Sequence, residues 1–368
     1  MRKGLSSPAR IRHHRAMKSS ISRLTTRRRF LTTAAAAIAA PQIITAQKSS
    51  NALSITGEGE HRYEMIHDWA KLPEPFKWQT TQDIAVSREG LVFIIHDGSA
   101  KGEALDTVFV FDSAGKFVRS FGKEFDGGGH GIDIRVEGKE EYIYLCDRKH
   151  LDIVVKMSLK GEEVWRLGRP EHCPFYEEKS PFKPTNVAFA PDGGFYVADG
   201  YGSFYIHQYD QTAQWIRSWG GKGTWPGKMN TPHGLWMDTR VKEKPSLIVA
   251  DRANSRLQFF DPNGIYQKEV SDSMSLPANI DIHGETVLVP DLNGRVVLLN
   301  MENKCVAILG DNQAEILADT RKKLRGNPSL WKPGKFYHPH DACFDQAGNI
   351  FVCEWVTPGR VTKLRRLS

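Results

Sequence analysis

The feature that most restricts this chain is a unit that returns roughly every 45 residues, the spacing of repeat architectures. It is clearest at residues 232–260, PHGLWMDTRVKEKPSLIVADRANSRLQFF. That stretch reads as Pro-His-Gly, a short apolar strand, a turn, a second apolar strand ending Val249-Ala250-Asp251-Arg252, and a third strand. Variants of the unit begin near residues 82, 130, 184, 277 and 339, which makes six in all. Each but the last offers four short runs of β-branched and aromatic residues. Turn chemistry such as Pro191-Asp192-Gly193-Gly194 and Asp261-Pro262-Asn263-Gly264 separates them.

Four strands per repeat at this spacing predict a six-bladed β-propeller, an all-β fold. A pair of β-sandwiches is the other architecture that many short strands allow. The sixth unit lacks a fourth strand and residues 63–69 are a spare one, so an N-terminal strand is expected to close the ring and protect the edge of that blade. Only residues 313–324 read as helical. Long insertions at 168–183 and 311–337 both run into an innermost strand, so both are expected to rim one face of the ring.

A closed repeat brings equivalent positions face to face. The residue that precedes each innermost strand is, in order, Gln82, His130, Thr185, His233, Ala278 and His340. Histidine occupies alternate units, so three imidazoles converge on the axis at one height. Three histidines with a fourth position open is a ligand set of catalytic zinc, although iron, copper or nickel also accept imidazole. A lone histidine would more simply be a hydrogen-bonded loop residue, and a metal-free Pro-His-Gly turn is the plainer reading of the motif. Three in alternating phase among 13 histidines favour the metal. A second slot, at the end of the second strand, reads Asp97, Arg148, Gly200, Arg252, Leu292 and Trp355. Its arginines could bind a carboxylate, and Tyr201 could place its phenol there as a base. Asp341, beside His340, could orient a ligand or bind a separate hard cation.

The strings FYVADGY at 195–201, Pro232-His233-Gly234-Leu235, Val249-Ala250-Asp251-Arg252 and Pro339-His340-Asp341 resemble those of NHL-repeat propellers. More narrowly they resemble the peptidyl-α-hydroxyglycine α-amidating lyases, over residues 62–368. The resemblance implies axial zinc on His130, His233 and His340, and a structural calcium on Asp341 with the backbone carbonyls of Ile84 and Ile132. It implies a carbon–nitrogen lyase that cleaves the N–Cα bond of an α-hydroxyglycine to give an amide and glyoxylate. Tyr201 would be the base and Arg252 would hold the carboxylate end. Three positions depart from the family pattern. Asp97 stands where the family has an arginine, and Arg148 is the candidate substitute. His338 replaces a methionine and is either a fourth ligand or an added acid–base group. Gly202 and Ile248 stand where the family has cysteines, so no disulfide pairing carries over.

The formal net charge of +7 misleads, because residues 1–46 hold ten Lys or Arg and no acidic residue, leaving −3 for the rest. The remainder therefore gives no reason to expect nucleic acid as a partner. Within 1–46, Thr26-Arg27-Arg28-Arg29-Phe30-Leu31 precedes a short apolar run and Ile44-Thr45-Ala46, the pattern of a twin-arginine signal peptide with its cleavage site. A disordered basic terminus is the alternative. Export to the periplasm or outside the cell is expected, then a linker at 47–61, then the propeller at 62–368, with no membrane-spanning segment in the mature chain. The five cysteines show no metal spacing, and Cys343 and Cys353 fall on one hairpin a pair out of register. Three functions fit: a zinc lyase acting on a small molecule or peptide, a non-catalytic NHL propeller that binds a protein, peptide or glycan, and a hydrolase or lactonase. The imidazole-rich axis argues against the third, whose sites use carboxylates around calcium. Nothing in the sequence indicates an oligomeric state.

Overall fold

A computed structural model describes residues 54–98 and 105–367. The signal-peptide and cleavage-site expectations fall on residues outside that range. The described residues form six antiparallel sheets. The innermost strands Thr81–Val86, Gly129–Glu137, Asn186–Phe189, Pro232–Asp238, Asp281–His283 and Pro339–Phe344 touch in succession, the last meeting the first, so the sheets are blades of a closed propeller. Blades one to five have four strands each. Blade six takes Tyr63–Ile66 as its fourth strand and Ser54–Thr56 as a fifth. The closing strand is thus N-terminal, as expected. The described part of the expected linker is a correction, because Ser54–Thr56 pairs in register with residues 63–65.

Alternation of side chains along each strand explains why the ring packs. In Val92–His96, Phe93 and Ile95 enter a core shared with Ile132, Ile143 and Leu145 of blade two. Val92 and Ile94 face the other way, against Phe351 and Cys353 of blade six. Six such clusters fill the spaces between successive blades. Middle strands are therefore apolar on both faces, and outermost strands such as Phe117–Phe121 are half-exposed. In the turn at 261–264, Asp261 Oδ1 accepts from the amides of Asn263 and Ile265, and Gly264 takes the left-handed φ of 85° that the turn requires.

A buried acid ends the second strand of blades two, four, five and six, as Asp147, Asp251, Asp291 and Glu354, and Asp199 directly follows that of blade three. Each accepts backbone N–H groups from the adjoining loops, for example Asn230 N to Asp251 and Tyr337 N to Glu354, both at 2.7 Å. These acids fix the chain just before or after the two slots. Blade five departs from the expected first strand at 277–282. The strand there is Asp281–His283, preceded by a bridge from Pro277 to Asp291 and a bond from Ala278 N to the Pro290 carbonyl, and the Asn279 side chain bonds the Ile280 amide and Asp341. The one α-helix among the described residues is Gln313–Ala318, within the second insertion, and no described helix is long and apolar enough to cross a membrane. All five cysteines are free, including Cys343 and Cys353.

Candidate metal centre and its mouth

The three slot histidines meet on the axis as the alternation requires. His130, His233 and His340 are each at most 3% exposed, and their ligand atoms lie within 4.8 Å of one another. Each Nδ1 bonds a backbone carbonyl: His130 to Thr185 at 2.8 Å, His233 to Ala278 at 2.7 Å, His340 to Gln82 at 2.6 Å. Those carbonyls belong to the slot residues of the next blades, so units five, three and one contribute backbone where units four, two and six contribute an imidazole. A carbonyl only accepts, so each Nδ1 is the protonated nitrogen and each Nε2 presents a lone pair. The Nε2 atoms of His130 and His233 are 3.2 Å apart. Tetrahedral ligands about 2.05 Å from one ion are about 3.3 Å apart, so this pair fits a metal. Burial, then neighbouring positive charge, lowers the pKa of His130 and His233, and burial lowers that of His340 to about 3. The imidazoles are therefore neutral near pH 7 and able to ligate.

Close approach of the next blade sets the residue that follows each histidine. A Cβ on Gly131 would lie 2.4 Å from the Thr185 carbonyl oxygen, and one on Gly234 would lie 2.4 Å from Asn279 Cα. Glycine is thus required at both. In blade six the position is Asp341, whose carboxylate accepts from Ile84 N at 2.9 Å and Asn279 Nδ2 at 2.6 Å. It lines an axial cavity of about 130 Å³ that is also bounded by Asp83, Ile84, Ile132, Asp133 and Asp281. Burial raises the carboxyl pKa values of Asp83, Asp133 and Asp341, and that of Asp281 to about 7. Asp83, Asp133 and Asp281 were missed in the sequence. They lie one or three residues beyond the slot on innermost strands, and because they do not recur at one position of the repeat its register does not single them out.

Above the histidines, Tyr201 O–H lies 3.1 Å from His233 Nε2 and accepts from Arg252 Nη2 at 3.0 Å. The guanidinium carbons of Arg148 and Arg252 lie 4.8 and 5.2 Å from the centre of the Tyr201 ring. The first insertion holds Tyr201 in place, since its amide donates to the Lys183 carbonyl at 3.3 Å. Asp97 accepts from Gln82 Nε2 at 2.6 Å, and burial raises its pKa against the pull of Gln82 and of Arg148, Lys149 and Arg325. His338 is not one of the three grouped ligands. Its Nδ1 bonds the Leu292 carbonyl at 2.8 Å and its ring lies 6.2 Å from that of Trp355. Arg325, from the second insertion, lies over Trp355 at 3.5 Å. It had no signal in the repeat, because an insertion has no register with the other units.

No family model matches the chain. It is 34% identical over 161 residues to peptidyl-glycine alpha-amidating monooxygenase A of Xenopus laevis, a match covering 42% of this chain and 16% of that protein. It is 28% identical over 205 residues to NHL repeat-containing protein 3 of Homo sapiens, covering 54% of this chain and 56% of that one. It is 29% identical over 198 residues to peptidyl-alpha-hydroxyglycine alpha-amidating lyase 1 of Drosophila melanogaster, covering 49% and 34%. The matches thus span from 16% to 56% of these relatives' lengths. A solved streptogramin B lyase superposes with a TM-score of 0.54 at 12% identity, over 84% of this chain and 99% of that chain, a likeness of fold alone.

Proposed function

We propose that this propeller, similar in sequence to NHL-repeat proteins and to α-hydroxyglycine amidating lyases, is a zinc-dependent lyase. Its substrate would be a small molecule or peptide ending in an N-acyl α-hydroxyglycine, and its products an amide and glyoxylate. The observation that carries the reading is the contact of the Tyr201 phenol with the histidine set on one side and with Arg252 on the other. His130, His233 and His340 would hold the zinc. Bound there, zinc supplies Lewis-acid polarisation of the substrate hydroxyl. Tyr201 takes the hydroxyl proton as the C=O of glyoxylate forms. The N–Cα electron pair leaves with nitrogen, and Tyr201 returns the proton to it, so no water is consumed. Arg252 and Arg148 bind the carboxylate and fix the Cα against the phenol. Asp341, with the carbonyls of Ile84 and Ile132, would hold a structural calcium in the axial cavity. Export through the twin-arginine route, from the pattern in residues 1–46, is part of the same reading.

The matched NHL repeat-containing protein keeps a second reading in play, a scaffold that binds a protein, peptide or glycan without catalysis. One assay separates the two: glyoxylate released from a short peptide ending in α-hydroxyglycine, with and without a zinc chelator. Zinc-dependent release is expected. Tyr201→Phe should keep its zinc and lose about 10²–10⁴-fold in rate, the worth of a positioned acid–base group. A chain that takes up zinc and releases no glyoxylate would refute the lyase.

A further inference from the structure

The second insertion brings Arg325 to the mouth through specific contacts. Its guanidinium carbon lies over the Trp355 indole, 3.5 Å from the ring centre. Nε donates to the Trp355 carbonyl at 3.1 Å and Nη2 to Thr80 Oγ1 at 3.4 Å, while Thr357 N donates to the Arg325 carbonyl at 2.9 Å. Thr80 in turn accepts from Asp97 N at 2.9 Å, Asp97 holds Gln82, and Gln82 accepts from His340. Arg325 is thus connected to the axial histidines through three residues of blade one.

Trp355 is the blade-six member of the slot that supplies Arg148 in blade two and Arg252 in blade four. Stacking Arg325 on it puts a guanidinium in the third alternate position. The three charges above the mouth therefore follow the same alternation as the three imidazoles below. Among the described residues, none of the three arginines has a carboxylate within 4.0 Å. Arg148 Nε is buried without a hydrogen-bond partner. Among the described residues, the Arg148 and Arg325 charges act on Asp97, which Gln82 already engages. An anionic ligand would supply the missing acceptors. Nε and one Nη2 N–H of Arg325 are engaged by Trp355 and Thr80, so the Nη1 end of the guanidinium is the part that a carboxylate would meet.

We propose that Arg325 is a carboxylate-binding residue of the axial site, closing a collar with Arg148 and Arg252 that selects small α-hydroxy carboxylates. This takes the axial site as the substrate site, as above. The test reads binding of a probe that has no bond to cleave, so it does not depend on lyase activity. Glycolate carries the hydroxyl and carboxylate of the substrate end, and glycolamide is its neutral counterpart. Calorimetry on the zinc-loaded chain should show Arg325→Met weakening glycolate about 10–100-fold, the worth of a charged hydrogen bond. Arg325→Lys should fall between that variant and the parent. Glycolamide affinity and zinc content should stay at parental values in both. A parent that does not bind glycolate would overturn the proposal. So would Arg325→Met binding it within twofold of the parent, or equal losses for glycolate and glycolamide. Loss of glycolate alone in a chain that releases no glyoxylate would support the collar while ending the lyase reading.

Discussion

Asp199 shows how one buried group sets a pH dependence. It is fully buried behind Tyr201 and accepts from Lys183 N at 2.6 Å and Tyr176 O–H at 2.7 Å. Burial nonetheless outweighs these bonds and lifts its pKa from 3.8 to about 6. A carboxyl whose folded pKa is raised contributes stability that is complete below the unfolded value and is lost as pH rises through the folded value. Stability from this group should thus fall from about pH 4 to above pH 6, by about 3 kcal/mol. Urea unfolding at several pH values compares the parent with Asp199→Asn, which cannot titrate. The variant should show the shallower slope, and equal slopes would refute the assignment.

At the scale of elements, blade six is both the closure of the ring and the mount of the second insertion. Glu354, at the end of Ile350–Glu354, is fully buried. It binds Arg360 of the next strand through two oxygens and accepts from Tyr337 N at 2.7 Å, while Arg360 Nη2 donates to the Lys335 carbonyl at 2.8 Å. One buried pair therefore ties two strands to the loop that carries Arg325. Glu354→Ala leaves Arg360 buried without its counter-charge and should cost about 3–5 kcal/mol. Denaturant unfolding measures that loss. Limited proteolysis should show new cleavage within residues 311–337, and an unchanged pattern would separate the ion pair from the insertion.

At the scale of the molecule, an axial ion would join blades two, four and six through one centre. Anything that binds the folded chain alone stabilises it by mass action, about 4 kcal/mol when free metal is 1,000 times its dissociation constant. Zinc should therefore raise the melting temperature of a metal-stripped sample, and His233→Ala should remove most of that rise. A full response in the variant would place the zinc elsewhere. The parts of this arrangement differ in how legible they were in the chain. Repeat spacing and apolar runs determined the blades, their number and the meeting of His130, His233 and His340, because a closed ring turns sequence phase into angular position. The same logic reached Arg148, Tyr201 and Arg252. It did not reach the acidic cavity of Asp83, Asp133 and Asp281, which depends on how far each innermost strand faces the axis. Nor did it give the strand at Ser54–Thr56, whose partner is 63–65. The carbonyls that orient the imidazoles, and the seat of Arg325 on Trp355, were decided by tertiary structure alone. A carbonyl leaves no trace in residue identity, and an insertion is positioned by contacts that no repeat encodes.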